Sequence, residues 1–589
     1  MRDVPVQEVV WNLEDLYEGP GDPRRETDRQ WCRDEADGLA DAYRGKIAHL
    51  SAPELLEAIQ RFERFEEMVR HLTTYAQLYF STRTEDPKAG ALWQEAVQLE
   101  SEIHRDTLFF ELEWKQMDEQ KAEELMDDPV LENYGHFLRV IRRYRPYTLS
   151  EPEEKVLAET SPMRATAWST LFDKVVTHLR FGKQQRTQSE VLSELYHADR
   201  DVRKQAALDV TQGLETVLHI QSHTFNTILQ ERAVSDRMRG YPHWLSARNL
   251  SNEAEDGMVE ALVAAVTSRY DIVQRYYRLK RSLLGYEEIC DYDRYAPIPG
   301  LGDSDYSWSE AREMVLGAYK EFSPLMADIA REFFDEKWIH APVLPGKRGG
   351  AFAHPATPDL HPFILLNFTG KLRDVTTLAH ELGHGIHQYL ARQQGLFNGQ
   401  TPLTMAETAS VFGELLVFRK LLARLEKPEN RLALICSRLE DDFATIFRQV
   451  AMNRFEDMAH NERRSKGELA PQRLSEIWMQ TQKNMFGDSV TLLDQYSIWW
   501  SYIPHFVHAP GYVYAYAFGN LLVLALAGMY DENPESFVPR YLELLSSGGN
   551  AGPEELLEPF GVNLNDPDFW SRGLGMLEDF LKEAEALTA

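Results

Sequence analysis

The chain has 589 residues, 43% of them apolar and 26% charged, a globular balance that excludes a disordered or fibrous protein. Its 93 acidic and 63 basic residues give a formal charge of −30, spread along the length, which would repel phosphates and argues against nucleic acid or an anionic membrane as partner. The odd, widely spaced Cys32, Cys290 and Cys436 form no disulfide framework and suit a reducing, cytoplasmic setting; Met1–Pro5 leads to Glu8, Glu14 and Asp15 with no apolar core for a signal peptide.

The length predicts two or more lobes, or one large helical body with an appended domain. The first half is predicted helical throughout. In Glu54–Thr82 the residues Leu55, Ile59, Phe62, Phe65, Met68, Val69, Leu72 and Tyr75 recur at three- and four-residue spacing and make one apolar stripe. Gly90–Met126, Asp128–Tyr144, Ser189–Glu215 and Glu253–Leu284 follow the same pattern, and Ser150-Glu151-Pro152-Glu153 carries a helix-start signature. Between about Ile289 and Thr369 the pattern changes to glycine, proline and short β-rich runs, and Phe363–Phe368 reads as a buried strand of a small sheet. Helices resume after Thr376. From Gln495 to Tyr530 there is no Asp, Glu, Lys or Arg, yet Pro504, His505, His508 and Pro510 and the lack of basic flanks favour a helix buried in a core over a membrane span. The fold expected is mainly α with a small β element.

The run Leu378-Ala379-His380-Glu381-Leu382-Gly383-His384 contains H-E-x-x-H. On a helix, residues four apart lie one turn above each other, so His380 and His384 can aim both imidazoles at one zinc ion, with Glu381 beside them as a base for water at the metal. Leu378, Leu382 and Ile386 give this helix an apolar face, and the preceding strand supplies an edge of the kind a peptide cleft uses. Catalytic zinc needs a third protein ligand. The metzincin pattern fails, because the later positions hold His387 and Leu390. Met405–Glu414 offers Glu407 and Glu414 on one helical face; Glu407 is the better ligand candidate, and Glu414 could hold a ligating histidine by its second ring nitrogen.

These residues, with Ala406-Glu407-Thr408-Ala409-Ser410 and the tyrosine-rich Pro504–Gly519, resemble the M3 family of metallopeptidases, specifically its oligoendopeptidase F branch. Looser likeness in Trp11–Tyr17, Leu149–Glu159 and Gly346–Asn367 extends the resemblance over nearly the whole chain. It implies a two-lobed helical body around a deep substrate channel, one zinc per chain, Glu407 as third ligand, and a histidine and tyrosines from Ile503–Tyr516 over the metal, where amide hydrolysis needs oxyanion donors. His505 and His508 compete for that role; His508 and Tyr512, then Tyr516, are the candidates taken. Gly350, Ala351 and Phe352 are candidates for a cleft-edge strand pairing with substrate backbone. His354, His361 and His387 lie near the site in sequence and are read as residues that support the ligands or sit at the surface, rather than as zinc ligands. The resemblance divides the chain into a helical region 1–190, with an oligoendopeptidase F-like N-terminal domain at about 105–185, and a peptidase domain 191–589. The activity implied is cleavage of internal bonds in short unstructured peptides. A carboxypeptidase or dipeptidase on a related scaffold, or a non-catalytic zinc-containing binding protein, are the alternatives.

Overall fold

The computed structural model of the chain describes residues 5–300 and 305–588; Met1–Val4, which begin the stretch read as lacking a signal peptide, lie outside the described residues. The chain is mainly α, with one three-stranded sheet. It forms two compact units, each assembled from three segments: 1–145, 303–424 and 529–562 in the first, 146–302, 425–528 and 563–589 in the second. Compactness therefore divides the chain differently from the linear division at 190, which followed likeness of sequence.

In the first unit the stripe read from Glu54–Thr82 forms the helix Ala52–Ser81, started by Ser51, whose amide donates to Glu54 at 2.8 Å. Leu55, Ile59, Phe65 and Leu78 are fully buried in one core with residues of the sheet, Phe363 and Leu365. The strands are β1 (Ile339–His340), β2 (Phe352–His354) and β3 (Phe363–Leu365), in the order β1-β3-β2. β1 runs parallel and β2 antiparallel to β3. The helices Trp308–Phe322 and Pro324–Asp335 lie in the window read as β-rich, where the nearby proline and glycine runs masked their periodicity.

Two register details position the site. The amides of Ile364 and Leu366 donate to Trp338 and His340 at 2.9 Å each, so Phe363 and Leu365 turn their backbone groups toward β2. Ala353, opposite Ile364, then faces away from β3, leaving its N–H and C=O at the open edge. After β3 the chain turns at Gly370, where φ is +89° and a Cβ would stand 3.0 Å from the Tyr306 carbonyl. The helix Leu372–Ala391 starts there. Asp374 fixes its first turn by accepting from the Thr369 and Lys371 amides at 2.7 and 3.1 Å.

In the second unit, the 40-residue helix Arg200–Arg239 ends at Gly240 in the left-handed conformation. A separate core gathers Leu214, Phe225, Phe455, Trp478 and Trp500. The charge-free stretch is not one helix: a 3-10 segment Asp494–Tyr502 and a short helix His505–His508 precede the helix Tyr514–Glu532, which is buried at every position from Ala517 to Ala527. Among the described residues no helix is long and apolar enough to cross a membrane.

Candidate metal centre

The helix Leu372–Ala391 buries Val375, Leu378, Ala379, Leu382 and Ile386 completely, each large side chain contributing about 1.5–3 kcal/mol and together fixing its rotation. His380 and His384 are thereby presented on the half-buried opposite side, with Glu381 only 6% exposed. The helix Thr408–Arg424 lies against it at backbone contact. A Cβ on Gly383 would meet the Ala409 carbonyl and stand 2.6 Å from Ser410 Cα; a Cβ on Gly413 would meet Tyr319 Oη and stand 3.0 Å from the Ala379 carbonyl. Glycine on both sides of the contact permits this approach. Tyr319 and Tyr541 clamp it, donating to the carbonyls of Ala379 and Thr408 at 2.7 and 2.8 Å.

The approach brings Glu407, just before the second helix, to both histidines. His380 Nε2 and His384 Nε2 lie 3.2 Å apart, and each is 3.5 Å from Glu407 Oε2. Four ligands at about 2.0–2.1 Å from a tetrahedral zinc would be about 3.3–3.4 Å apart, so this triangle has the right size. Among the described residues these three form the group whose ligand atoms converge, all within 4.8 Å. The chemistry agrees. His380 Nδ1 is engaged by Glu414, which leaves the Nε2 lone pair facing the centre. Ser410 donates at 2.7 Å to the same Glu407 oxygen that faces the imidazoles, and so holds the carboxylate in place.

Three carboxylates surround two imidazoles here. Burial opposes a charge on His380, but the Glu414 hydrogen bond and the fields of Glu414, Glu407 and Glu381 carry its pKa to about 9. Burial raises Glu381 to about 7, with His380 opposing and Glu407 and Glu414 adding. His384 is lowered, burial leading. A divalent cation would neutralise this excess of negative potential, so the donor set fits a metal in number, spacing and charge.

The other sequence candidates fall in two places. In the first unit, Gly350 (φ +80°) and Ala351 lead into β2, which Phe352 begins; Asn367 Nδ2 holds the loop by donating to Gly350 O at 2.8 Å. A backbone hydrogen bond from Ala353 favours the charged form of Glu381, linking the open strand edge to that carboxylate. His354, His361 and His387 take no part in the triangle; His361 stacks on Trp338 at 4.1 Å, and His387 is buried beside Thr401.

In the second unit, the turn at Gly511 (φ +76°) folds the chain back, so that Tyr512 stacks on His505 with ring centroids 6.5 Å apart. Tyr516 completes the group, its Oη 3.2 Å from His505 Nε2. The histidine in this group is His505. His508 instead meets Asp173 at 2.8 Å, over the edge of Phe172. Spacing did not separate the two histidines because the reversal at Pro510-Gly511 decides which one the tyrosines meet. Ser410 and Gly383 were also missed; Ser410, three residues after Glu407 and so on its face of the chain, carried a usable signal.

The family model described as peptidase family M3 matches residues 194–576, well over half of the chain, and one described as oligopeptidase F matches 113–181. The chain belongs to peptidase family M3. Its relatives include oligopeptidase PepF of Bacillus subtilis, 27% identical over 98% of this chain and 87% of the relative. Group B oligopeptidase PepB of Streptococcus agalactiae is 27% identical over 96% of both. Among solved structures, a Chlamydophila abortus protein solved as a candidate peptidase covers 100% of both chains at a TM-score of 0.87 and 23% identity. Oligoendopeptidase-F from Enterococcus faecium aligns over 96% of this chain and 98% of its own at 0.72 and 23% identity. The enzyme is a metallopeptidase acting on peptides, with its candidate metal ligands on the helix Leu372–Ala391 and at Glu407.

Proposed function

We propose that the protein is a zinc oligoendopeptidase of the cytoplasm that cleaves internal bonds of short, unstructured peptides. The observation that carries the reading is the triangle of His380, His384 and Glu407, with Glu381 next to the first ligand in the chain. Two imidazoles and one carboxylate with a fourth position open are the ligand set of catalytic zinc. When bound, zinc supplies Lewis acidity to water and to a scissile carbonyl. Glu381 takes the proton from the attacking water and returns it to the leaving amine nitrogen. Glu414 and Ser410 orient His380 and Glu407. His505, Tyr512 and Tyr516 supply N–H and O–H donors to the developing oxyanion, with His505 taking the place first given to His508. The Ala353 carbonyl at the sheet edge, reached through Gly350, Ala351 and Phe352, accepts from substrate backbone, while the Ala353 N–H serves Glu381.

The restriction to short peptides is supported by the relatives named oligopeptidases. The three unpaired, buried cysteines support a reducing compartment. Mass spectrometry of products from two matched peptide libraries, one blocked at both ends and one with free C-termini, tests the reading: internal cuts are expected in both. Release only from free C-termini would make the enzyme a carboxypeptidase and overturn it.

A further inference from the structure

Near His505 in the second unit is a cationic group that the reaction has not used. Arg448 opens the helix Arg448–Lys466 immediately after a single π-helical turn, Phe443–Phe447, that interrupts the run from Pro428–Asp442. Such a turn widens the helix and re-aims the next side chain, and π turns recur at functional sites. Arg448 Nη1 donates to Tyr295 Oη at 3.1 Å, and among the described residues no carboxylate oxygen lies within 4.0 Å of this guanidinium.

The buried acid of these surroundings, Asp291, acts on a second cation, Arg294, and no acid is among the groups that act most strongly on Arg448. Arg294 lies in an aromatic box with its guanidinium 5.3 Å from the Tyr295 ring centre, 4.8 Å from Tyr496 and 5.3 Å from Phe486. Its Nε donates to the Asp291 carbonyl rather than to a carboxylate. The nearby acid Glu440 is engaged by Lys280 and Tyr276. Although burial would raise the Tyr295 phenol and Glu440 adds to that, Arg448 and Arg294 carry it below its ordinary value, so the positive field dominates there. That field reaches His505, whose pKa is lowered by burial first and by Arg448 second. Arg294 is 5% exposed, whereas Arg448 and Tyr295 are half-buried and can meet a ligand.

We propose that Arg448 and Tyr295 form a carboxylate-binding subsite that takes a carboxylate of the peptide substrate, either its C-terminus or an acidic side chain. A planar guanidinium with donors to spare suits a carboxylate through paired hydrogen bonds, and the phenol adds a donor beside it. This rests on the peptidase reading and on the role given to His505.

The test compares kcat/KM of the wild type and of Arg448→Met on three versions of one internally quenched peptide: free C-terminus, amidated C-terminus, and amidated with one neutral residue replaced by glutamate. The subsite predicts that the wild type prefers a carboxylate-bearing version by about tenfold or more, mostly through KM. Preference for the free acid assigns the C-terminus, and preference for the glutamate version assigns a side chain. Arg448→Met should lose the preference, read as the ratio of kcat/KM between the carboxylate-bearing and the amidated neutral versions, with a wild-type circular dichroism spectrum and melting temperature to show that it folds; Arg448→Lys should keep part of it. A wild type indifferent to all three carboxylate patterns, or an Arg448→Met variant that slows all three equally, overturns the subsite. A wild type that cleaves none of them refutes the peptidase reading instead, and the subsite with it.

Discussion

Replacing Gly383 with alanine perturbs the contact that assembles the ligand set. The new Cβ would stand 2.6 Å from Ser410 Cα and 2.7 Å from the Ala409 carbonyl carbon. These are backbone atoms of a helix clamped through Tyr319 and Tyr541, so no side chain can swing aside. Restoring a carbon contact of about 3.5–4.0 Å requires the two helices to part by about 1 Å. The 3.5 Å separations between Glu407 and the histidines would then grow to about 4.5 Å, beyond the about 3.3–3.4 Å that one zinc can bridge. Two stability effects compete. Alanine favours a helix over glycine by about 0.8–1.0 kcal/mol, whereas overpacking costs about 1–3 kcal/mol. Because the obstructing atoms are backbone, overpacking falls at the upper end of its range, and the net loss should be about 2 kcal/mol. Zinc affinity should fall at least about tenfold, as it does when a ligand loses its support. Competition with a chromogenic chelator measures the affinity, and urea unfolding of the metal-free protein measures the stability. Gly383→Ala with wild-type zinc affinity and undiminished stability would refute the close-approach argument.

Other predictions follow from neighbouring contacts. Glu414→Ala removes the acceptor on His380 Nδ1 and should weaken zinc binding about 10–100-fold, with Glu414→Gln intermediate, measured by the same competition. Tyr512→Phe, Tyr516→Phe and His505→Gln should each lower kcat about 10²–10³-fold with zinc content intact, whereas His508→Gln, losing its contacts with Asp173 and the Phe172 ring, should leave kcat within about twofold. Glu456 is fully buried, accepts from the Gly511 amide at 2.9 Å, and is raised by burial from 4.5 to about 8. The folded protein therefore keeps a proton that the unfolded chain loses between those values. Stability should fall as pH rises from about 4.5 to 8, by an amount on the order of a few kcal/mol, and level off above. Denaturation of the wild type and Glu456→Gln at both ends of that window checks this; the variant should show the shallower slope.

Chemistry that depended on helical spacing was legible in the sequence. His380 and His384 needed only the four-residue interval, and the stripe from Leu55 to Tyr75 needed only its period to become a helix. The buried strand at Phe363 showed as an apolar run bounded by proline, though it ends at Leu365 because Leu366 already pairs only with the β1 side. Glu407 and Glu414 could be placed on one face but not given roles by spacing alone, since the roles depend on how closely the second helix approaches, which is set by Gly383 and Gly413. Periodicity does not encode that approach. His505 stayed indistinct from His508 for a similar reason: a single turn with positive φ at Gly511 chooses between them. The interleaving of the two units lay beyond local pattern, because it joins segments hundreds of residues apart.

The most direct test of the account is to purify Glu381→Gln and measure two quantities together: zinc per chain by elemental analysis, and cleavage of a peptide that the wild type cuts. The three ligands and their supports are untouched in this variant, so it should retain one zinc per chain, while loss of the base should reduce cleavage at least about 10²-fold. A Glu381→Gln protein that holds its zinc and still cleaves at near wild-type rate would contradict the mechanism at its centre.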